Sequence, residues 1–405
     1  MNIDQTRAIE AQNMFAVYTK IHQPMVIVRG EGAYVWDAEG NRYLDLTSGG
    51  RAVTALGHCP PPVVKAICDQ AARLIHMSND FYTEPQMELA RLLGEICVCK
   101  RVFFCNSGAE ANEAAIKLAR KHSRINHGPG KTEIVTMLGS FHGRTMATLA
   151  ATGQSKYHAD FEPLVPGFKH VEFNNVAALN AAVDDRTCAV MLEPVLGESG
   201  VYPATKEFMT ACRKACDRHG ALLILDEVQT GLGRTGKLFA YQHYDVTPDA
   251  ITLAKALGSG MPIGAMLATD AAARAFAPGD HASSFGGGAL AAAAALAGVR
   301  AILDGGVVEN ARQVGEHFLA GLMKLREKHP VITQARGLGM MAAADLAEPI
   351  AGAVRAACLR RKVLIQQVGD SMLRFIPALI LTAAQAEGGL AVLDEALHEA
   401  TSHGN

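Results

Sequence analysis

From residue 101 to residue 269, short apolar runs alternate with stretches of helical spacing: RVFFCN, ANEAAIKLARKH, EIVTML, CAVMLEPV, EFMTACRKACDRHG, ALLILDEV, AITLAK and GAMLAT. Runs apolar on both faces, separated by amphipathic helices, have few packing solutions. The alternation predicts an α/β domain with a mostly parallel central sheet. Ligands of such sheets sit beyond the carboxyl ends of the strands. The polar residues that interrupt the apolar runs fall there: Glu193, Asp226 and Lys255.

A chain of 405 residues exceeds what one core usually organises. The last hundred residues carry long helical patterns such as VVENARQVGEHFLAGLMKLREKH, then short strands such as VLIQQ and MLRFIPAL. They are expected to form a smaller α+β domain. The N-terminal segment joins it, with AYVWDAEGNRYLDL as a hairpin around Glu39, Gly40 and Asn41. The expected division is 1–57 with the small domain, 58–300 as the large domain and 301–405 as the rest of the small domain.

A net charge of -2 leaves no electrostatic footprint for nucleic acid. MNIDQTRAIEAQNMFAVYTK has no apolar signal core, and ALAAAAALAGV is too short to span a bilayer, so a cytoplasmic protein is expected. The closest cysteine pairs, Cys97 with Cys99 and Cys212 with Cys216, lack the CxxC spacing of zinc sites. Buried free thiols are expected, with no metal and no disulfide framework.

In ALLILDEVQTGLGRTG two carboxylates, Asp226 and Glu227, follow an apolar strand, where an unpaired charge is costly. Lys255 stands at the end of a second strand among Leu253, Ala254, Ala256 and Leu257. There it is either a lysine whose head snorkels to water or an amine nucleophile with a depressed pKa. In FCNSGAEANEAAIKLAR a strand gives way to a helix whose apolar positions are 111, 114, 115, 118 and 119. Ser107 and Glu110 have capping-box spacing, and the same Ser-Gly-Ala turn would let free backbone N–H groups hold a phosphate. SFHGRT adds Phe141, His142 and Arg144 after another strand. Gly231, Gly233 and Gly236 spell a dinucleotide fingerprint, but Asp226 to Thr230 separate them from the strand and KLFAYQHY is a poor helix, so they are read as a decoy.

One ligand needs all these parts: pyridoxal phosphate (PLP), with an imine-forming lysine, a phosphate cradle, a ring platform and an acid that keeps the pyridine nitrogen protonated. Asp226 would be that acid, and strand alternation places Val228 on its face and Glu227 on the other.

These motifs, with YVWDAEGNRYLDL, ALGHC, FYTEPQMELA, NSGAEANE, EPVLGESG, LAKALGSGMPIGAM, RGLGM and LRFIPAL in order, make the chain resemble the class III, ornithine-type, PLP-dependent aminotransferases over nearly its whole length. The acetylornithine-using branch is nearest in appearance. The resemblance implies PLP fold type I, and it implies roles. Lys255 bonds the cofactor and shuttles the proton, Asp226 holds the pyridinium, and Gln229 reaches the ring hydroxyl. Val228 and Phe141 sandwich the ring, with His142 beside them. Ser107, Gly108 and Ala109 hold the phosphate, completed by Ser284 from the neighbouring subunit of a homodimer with shared sites. Arg144 takes a substrate carboxylate, and Glu198 masks or releases Arg374 as donor and acceptor alternate.

The expected reaction is transfer of the ω-amino group of N2-acetyl-L-ornithine to 2-oxoglutarate, giving L-glutamate and a semialdehyde in arginine metabolism. Sibling donors remain open: succinylornithine, ornithine, 4-aminobutyrate or another ω-amine, as does a lyase, racemase or mutase on the same scaffold. The chain departs from the branch at Arg51, where isoleucine is usual, at Pro60 for histidine, at Gly288-Ala289 for Asn-Pro, and in GESG for GEGG. Arg51 falls at a pocket-lining position of the family, so it bears on the choice of donor, and either a protein carboxylate or a substrate carboxylate should pair with it.

Overall fold

The computed structural model describes residues 1–18 and 23–402. Its centre is a seven-stranded sheet in the order Arg101–Cys105, Gly264–Ala268, Ala250–Leu253, Leu222–Asp226, Thr187–Leu192, Glu133–Met137 and Phe168–Val171. All neighbours run parallel except Gly264–Ala268, which is antiparallel to both of its partners. The expected mostly parallel sheet is therefore present. Thr187–Leu192, Leu222–Asp226 and Ala250–Leu253 are buried at every residue, as strands covered on both faces must be.

Helix Gly108–His127 buries Ala111, Ala114, Ala115, Leu118 and Ala119, the stripe read from the sequence. Helix Lys206–His219 ends on Gly220 in the left-handed conformation and leads into the strand that carries Asp226.

The expected hairpin joins Tyr34–Asp37 to Arg42–Asp45, its turn held by Asp37 Oδ1, which accepts from Glu39 N at 3.1 Å and Asn41 N at 2.8 Å. VLIQQ is not one strand. Val363–Leu364 pairs parallel with Arg42–Asp45, whereas Gln366–Gln367 pairs with Met372–Phe375 in a separate four-stranded sheet. Buried Ile365 marks the crossing between the two.

All nine cysteines are free; seven are buried as expected, and Cys59 and Cys68 are exposed. The alanine-rich segment lies within helix Ala289–Asp304, which packs on helices Pro61–Arg73 and Glu84–Ile96. Among the described residues no single helix is long and apolar enough to cross a membrane.

Candidate active site

Asp226 closes its strand with 3% of its surface exposed. Its Oδ2 accepts from Asn112 Nδ2 at 2.7 Å and from His142 Nδ1 at 2.8 Å; its Oδ1 accepts from Val228 N at 3.0 Å. Thr252 Oγ1 donates to Asn112 Oδ1 at 2.7 Å, which fixes the amide with its NH₂ toward Asp226 and His142 O. Three donors surround this buried carboxylate, and among the described residues no lysine or arginine forms a salt bridge with it. Asn112 and Thr252 were not singled out in the sequence. The available signal was a polar residue on the apolar face of a helix and another in the apolar strand AITL.

The strand ends at Asp226, so the expected strand alternation does not extend to Glu227 and Val228. Glu227 accepts from Ala240 N at 2.7 Å and Tyr241 N at 2.9 Å. Burial pushes its carboxyl up to about 7 against those bonds. Glu193, at the next strand end, accepts from Phe141 N at 2.9 Å and Gly197 N at 3.1 Å; burial, then nearby Asp226, push it up to about 7 as well. Its structural part is thus to anchor the segments that carry Phe141 and Glu198.

Lys255 follows strand Ala250–Leu253 with φ at 30°, in the left-handed region that costs a side-chain-bearing residue about 1 kcal/mol or more. Burial pulls its ammonium pKa below the ordinary value, against the opposing pull of Glu198, Asp226 and Glu193. Among the described residues its Nζ makes no hydrogen bond or salt bridge.

Ser107 caps helix Gly108–His127, its Oγ accepting from Glu110 N at 3.2 Å. The reciprocal half of the expected capping box shifts by one residue, because Glu110 Oε2 accepts from Asn106 N at 2.5 Å. Gly108 and Ala109 head the helix, where N–H groups have no intrahelical acceptor and the helix dipole favours an anion. A Cβ on Gly108 would lie 2.7 Å from Val228 Cγ1, so glycine is required for this close approach.

Phe141 is half-buried and edge-on to Tyr157, with ring centroids 5.8 Å apart. Arg144 is exposed, and its guanidinium lies 4.2 Å from the Tyr157 ring centroid with no carboxylate paired to it among the described residues. Ser284 is exposed next to Phe285 at 67% exposure.

Arg374 is 2% exposed, its Nη1 donating to Gly197 O at 2.6 Å and Glu198 Oε1 at 3.0 Å, its Nε to Gln366 Oε1 at 2.8 Å. Glu198 Oε1 also accepts from Gln229 Nε2 at 3.2 Å, and its Oε2 takes Arg51 Nη1 at 2.5 Å. Burial would raise the Glu198 carboxyl, but Arg374, Lys255 and Arg51 outweigh it and bring it down to about 2. Arg51 thus resolves onto a protein carboxylate.

The decoy glycines make turns, not a strand-to-helix junction. Gly233 and Gly236 have φ at 95° and 80°, and Arg234 between them is buried, donating to Met340 O, Pro377 O and Ser48 Oγ. Sequence reasoning did not single out Arg234.

Residues 16–397 match the family model described as aminotransferase class-III. The chain belongs to the class III aminotransferases. Among individual relatives, it is 48% identical to an acetylornithine aminotransferase of Caldanaerobacter subterraneus subsp. tengcongensis over 96% of this chain and 99% of that one. Among solved structures of the family, N-acetylornithine aminotransferase from Stenotrophomonas maltophilia K279a has a TM-score of 0.83 at 38% identity, covering 96% of this chain and 99% of that one. Ornithine aminotransferase from Toxoplasma gondii, in a structure showing partial occupancy of PLP at the protein active site, has a TM-score of 0.93 at 30% identity, covering 99% and 95%. The class III fold places the strand ends bearing Asp226 and Lys255 side by side, since their strands are parallel neighbours with Asp226 paired to Thr252.

Proposed function

We propose that this aminotransferase binds PLP and transfers the ω-amino group of N2-acetyl-L-ornithine to 2-oxoglutarate. The observation that carries the reading is a buried carboxylate held by three donors at one strand end, with a lysine amine that has no hydrogen-bond partner among the described residues at the next. The residues present fit the cofactor. Among the described residues, His142 Nε2 and Gln229 Oε1 are buried polar atoms without a partner, and a ligand with polar ring substituents would satisfy them.

Asp226 would hold the ring nitrogen, its charge fixed by Asn112, His142 and the Val228 amide. Ser107, Gly108 and Ala109 would hold the phosphate at the helix N-terminus, with Ser284 of a second copy completing the cradle. Phe141 and Val228 would bound the ring faces, and Gln229 its hydroxyl. Bound PLP supplies an electron-withdrawing ring that stabilises negative charge on the substrate carbon. Lys255 Nζ would hold and move the proton of that carbon, a task suited to an amine whose pKa burial depresses. Arg144 would orient one substrate carboxylate. Arg374, screened by Glu198, would receive the second carboxylate of 2-oxoglutarate and stay covered for the donor.

The homodimer is supported by an apolar side chain left open next to Ser284, Phe285 at 67% exposure. The proposed division into 1–57, 58–300 and 301–405 is supported by the parallel pairing of Arg42–Asp45 with Val363–Leu364, while the seven-stranded sheet draws only on residues 101–268. A cytoplasmic location is part of the same reading.

The test is a panel of N-acetylornithine, N-succinylornithine, ornithine and 4-aminobutyrate, each with 2-oxoglutarate, followed by glutamate formation. N-acetylornithine should have the highest kcat/KM. A higher value for another donor would reassign the substrate, and turnover without any keto acid would point to a lyase, racemase or mutase.

A further inference from the structure

Glu198 is shared by two arginines that contact opposite oxygens. Oε1 faces Arg374 Nη1 at 3.0 Å and Oε2 faces Arg51 Nη1 at 2.5 Å. The two cations differ in freedom: the Arg374 side chain is 2% exposed and that of Arg51 is 53% exposed. Among the described residues Glu198 is the one carboxylate paired with Arg51. Both arginines line one cavity of about 1460 Å³.

Arg51 is not carried on a loose loop. Ser48, Gly49, Gly50 and Ala52 around it all have positive φ, and buried Asp45 ties this turn down. Asp45 accepts from Thr47 N at 2.8 Å and Gly49 N at 2.7 Å, and His58 Nε2 lies 2.8 Å from its Oδ2. The backbone bearing Arg51 is therefore placed before any ligand arrives.

A carboxylate offers an arginine two oxygens, and the bidentate pair is the stronger one. With Oε2 on Arg51, Glu198 holds Arg374 through a single oxygen. When an incoming carboxylate displaces Glu198 from Arg374, Glu198 still has a cation and is not left as an unpaired charge in a largely buried site. The charges then balance: two arginines against Glu198 and the ligand carboxylate.

We propose that Arg51 is a positioning residue that weakens the Glu198 screen over Arg374 and holds Glu198 aside when a dicarboxylic acceptor binds. The proposal rests on the reading of Arg374 as the acceptor's carboxylate receptor. Arg51 acts in it through Glu198, not by touching substrate.

The experiment measures binding of glutarate, a five-carbon dicarboxylate without a reacting keto group, to the PLP-loaded enzyme by titration calorimetry, alongside KM for 2-oxoglutarate and for the donor. Arg51→Ile should weaken glutarate and raise KM for 2-oxoglutarate by about tenfold, a usual size for coupling between two sites. The donor KM should change little, and Arg51→Lys should recover part of the loss. In a Glu198→Gln background, where the screen carries no charge, Arg51→Ile should have no further effect on glutarate. A loss that persists in that background would mean that Arg51 contacts the ligand itself and would overturn the proposal. Unchanged or tighter glutarate binding in Arg51→Ile would overturn it equally. Arg374→Ala separates the two levels: if it leaves glutarate binding intact, the receptor reading is wrong and the proposal falls with it.

Discussion

His142 and Asp226 meet 2.8 Å apart, Nδ1 to Oδ2, with 2% and 3% of their surfaces exposed. A carboxylate only accepts, so the imidazole N–H points at Asp226, while Nε2 is a buried atom without a partner among the described residues. Asn112 shares the same oxygen, and the two together keep Asp226 oriented.

Asp226→Asn should fold and retain some cofactor, but its single-turnover rate with donor should fall about a hundredfold or more, the scale seen when one electrostatic stabiliser is removed. An amide placed among three donors is also poorly matched to them. A rate within a few-fold of wild type would remove Asp226 from its proposed role.

Lys255→Ala should leave far-UV circular dichroism unchanged and abolish covalent attachment of the cofactor. After borohydride reduction, mass spectrometry of the wild type should find the pyridoxyl group on Lys255 and on no other lysine. A label elsewhere would reassign the amine.

If Ser284 reaches across a dimer interface, Lys255→Ala and Ser284→Asp chains, each inactive alone, should regain activity when mixed. Each mixed dimer then contains one intact site with Lys255 from one chain and Ser284 from the other. Absence of recovery in verified mixed dimers, or a monomer by sedimentation, would refute the shared site.

Glu227 supplies a pH test that does not involve catalysis. Burial raises its folded pKa to about 7, above the ordinary glutamate value of the unfolded chain. The folded state therefore keeps a proton that the unfolded state has lost. The contribution is fully present below the ordinary glutamate range and is lost as pH rises toward 7, at about 1 kcal/mol per pH unit. Glu227→Gln has no such proton, so the stability of the wild type relative to it should decline from pH 5 to pH 7 and level off above. Parallel denaturation midpoints across that range would show that burial does not raise this carboxyl.

The alternation of apolar runs and helical stretches was enough to determine the central sheet, and the polar residues that ended those runs were enough to mark Asp226, Lys255 and Glu193. Both are local properties: strand and helix periodicity is written in neighbouring residues, and a charge at the end of a buried strand stands out wherever the strand lies. What each charge meets was decided by tertiary structure. Asn112 reaches Asp226 from 114 positions away, and Arg51 reaches Glu198 from 147. Splitting VLIQQ between two sheets, and turning the decoy glycines into a loop around buried Arg234, likewise depends on which distant segments pack alongside. Hydrogen bonds and ion pairs act over a few ångströms, so they are determined only once turns such as Ser48–Ala52 have set the chain's direction. Sequence spacing carries no measure of that distance.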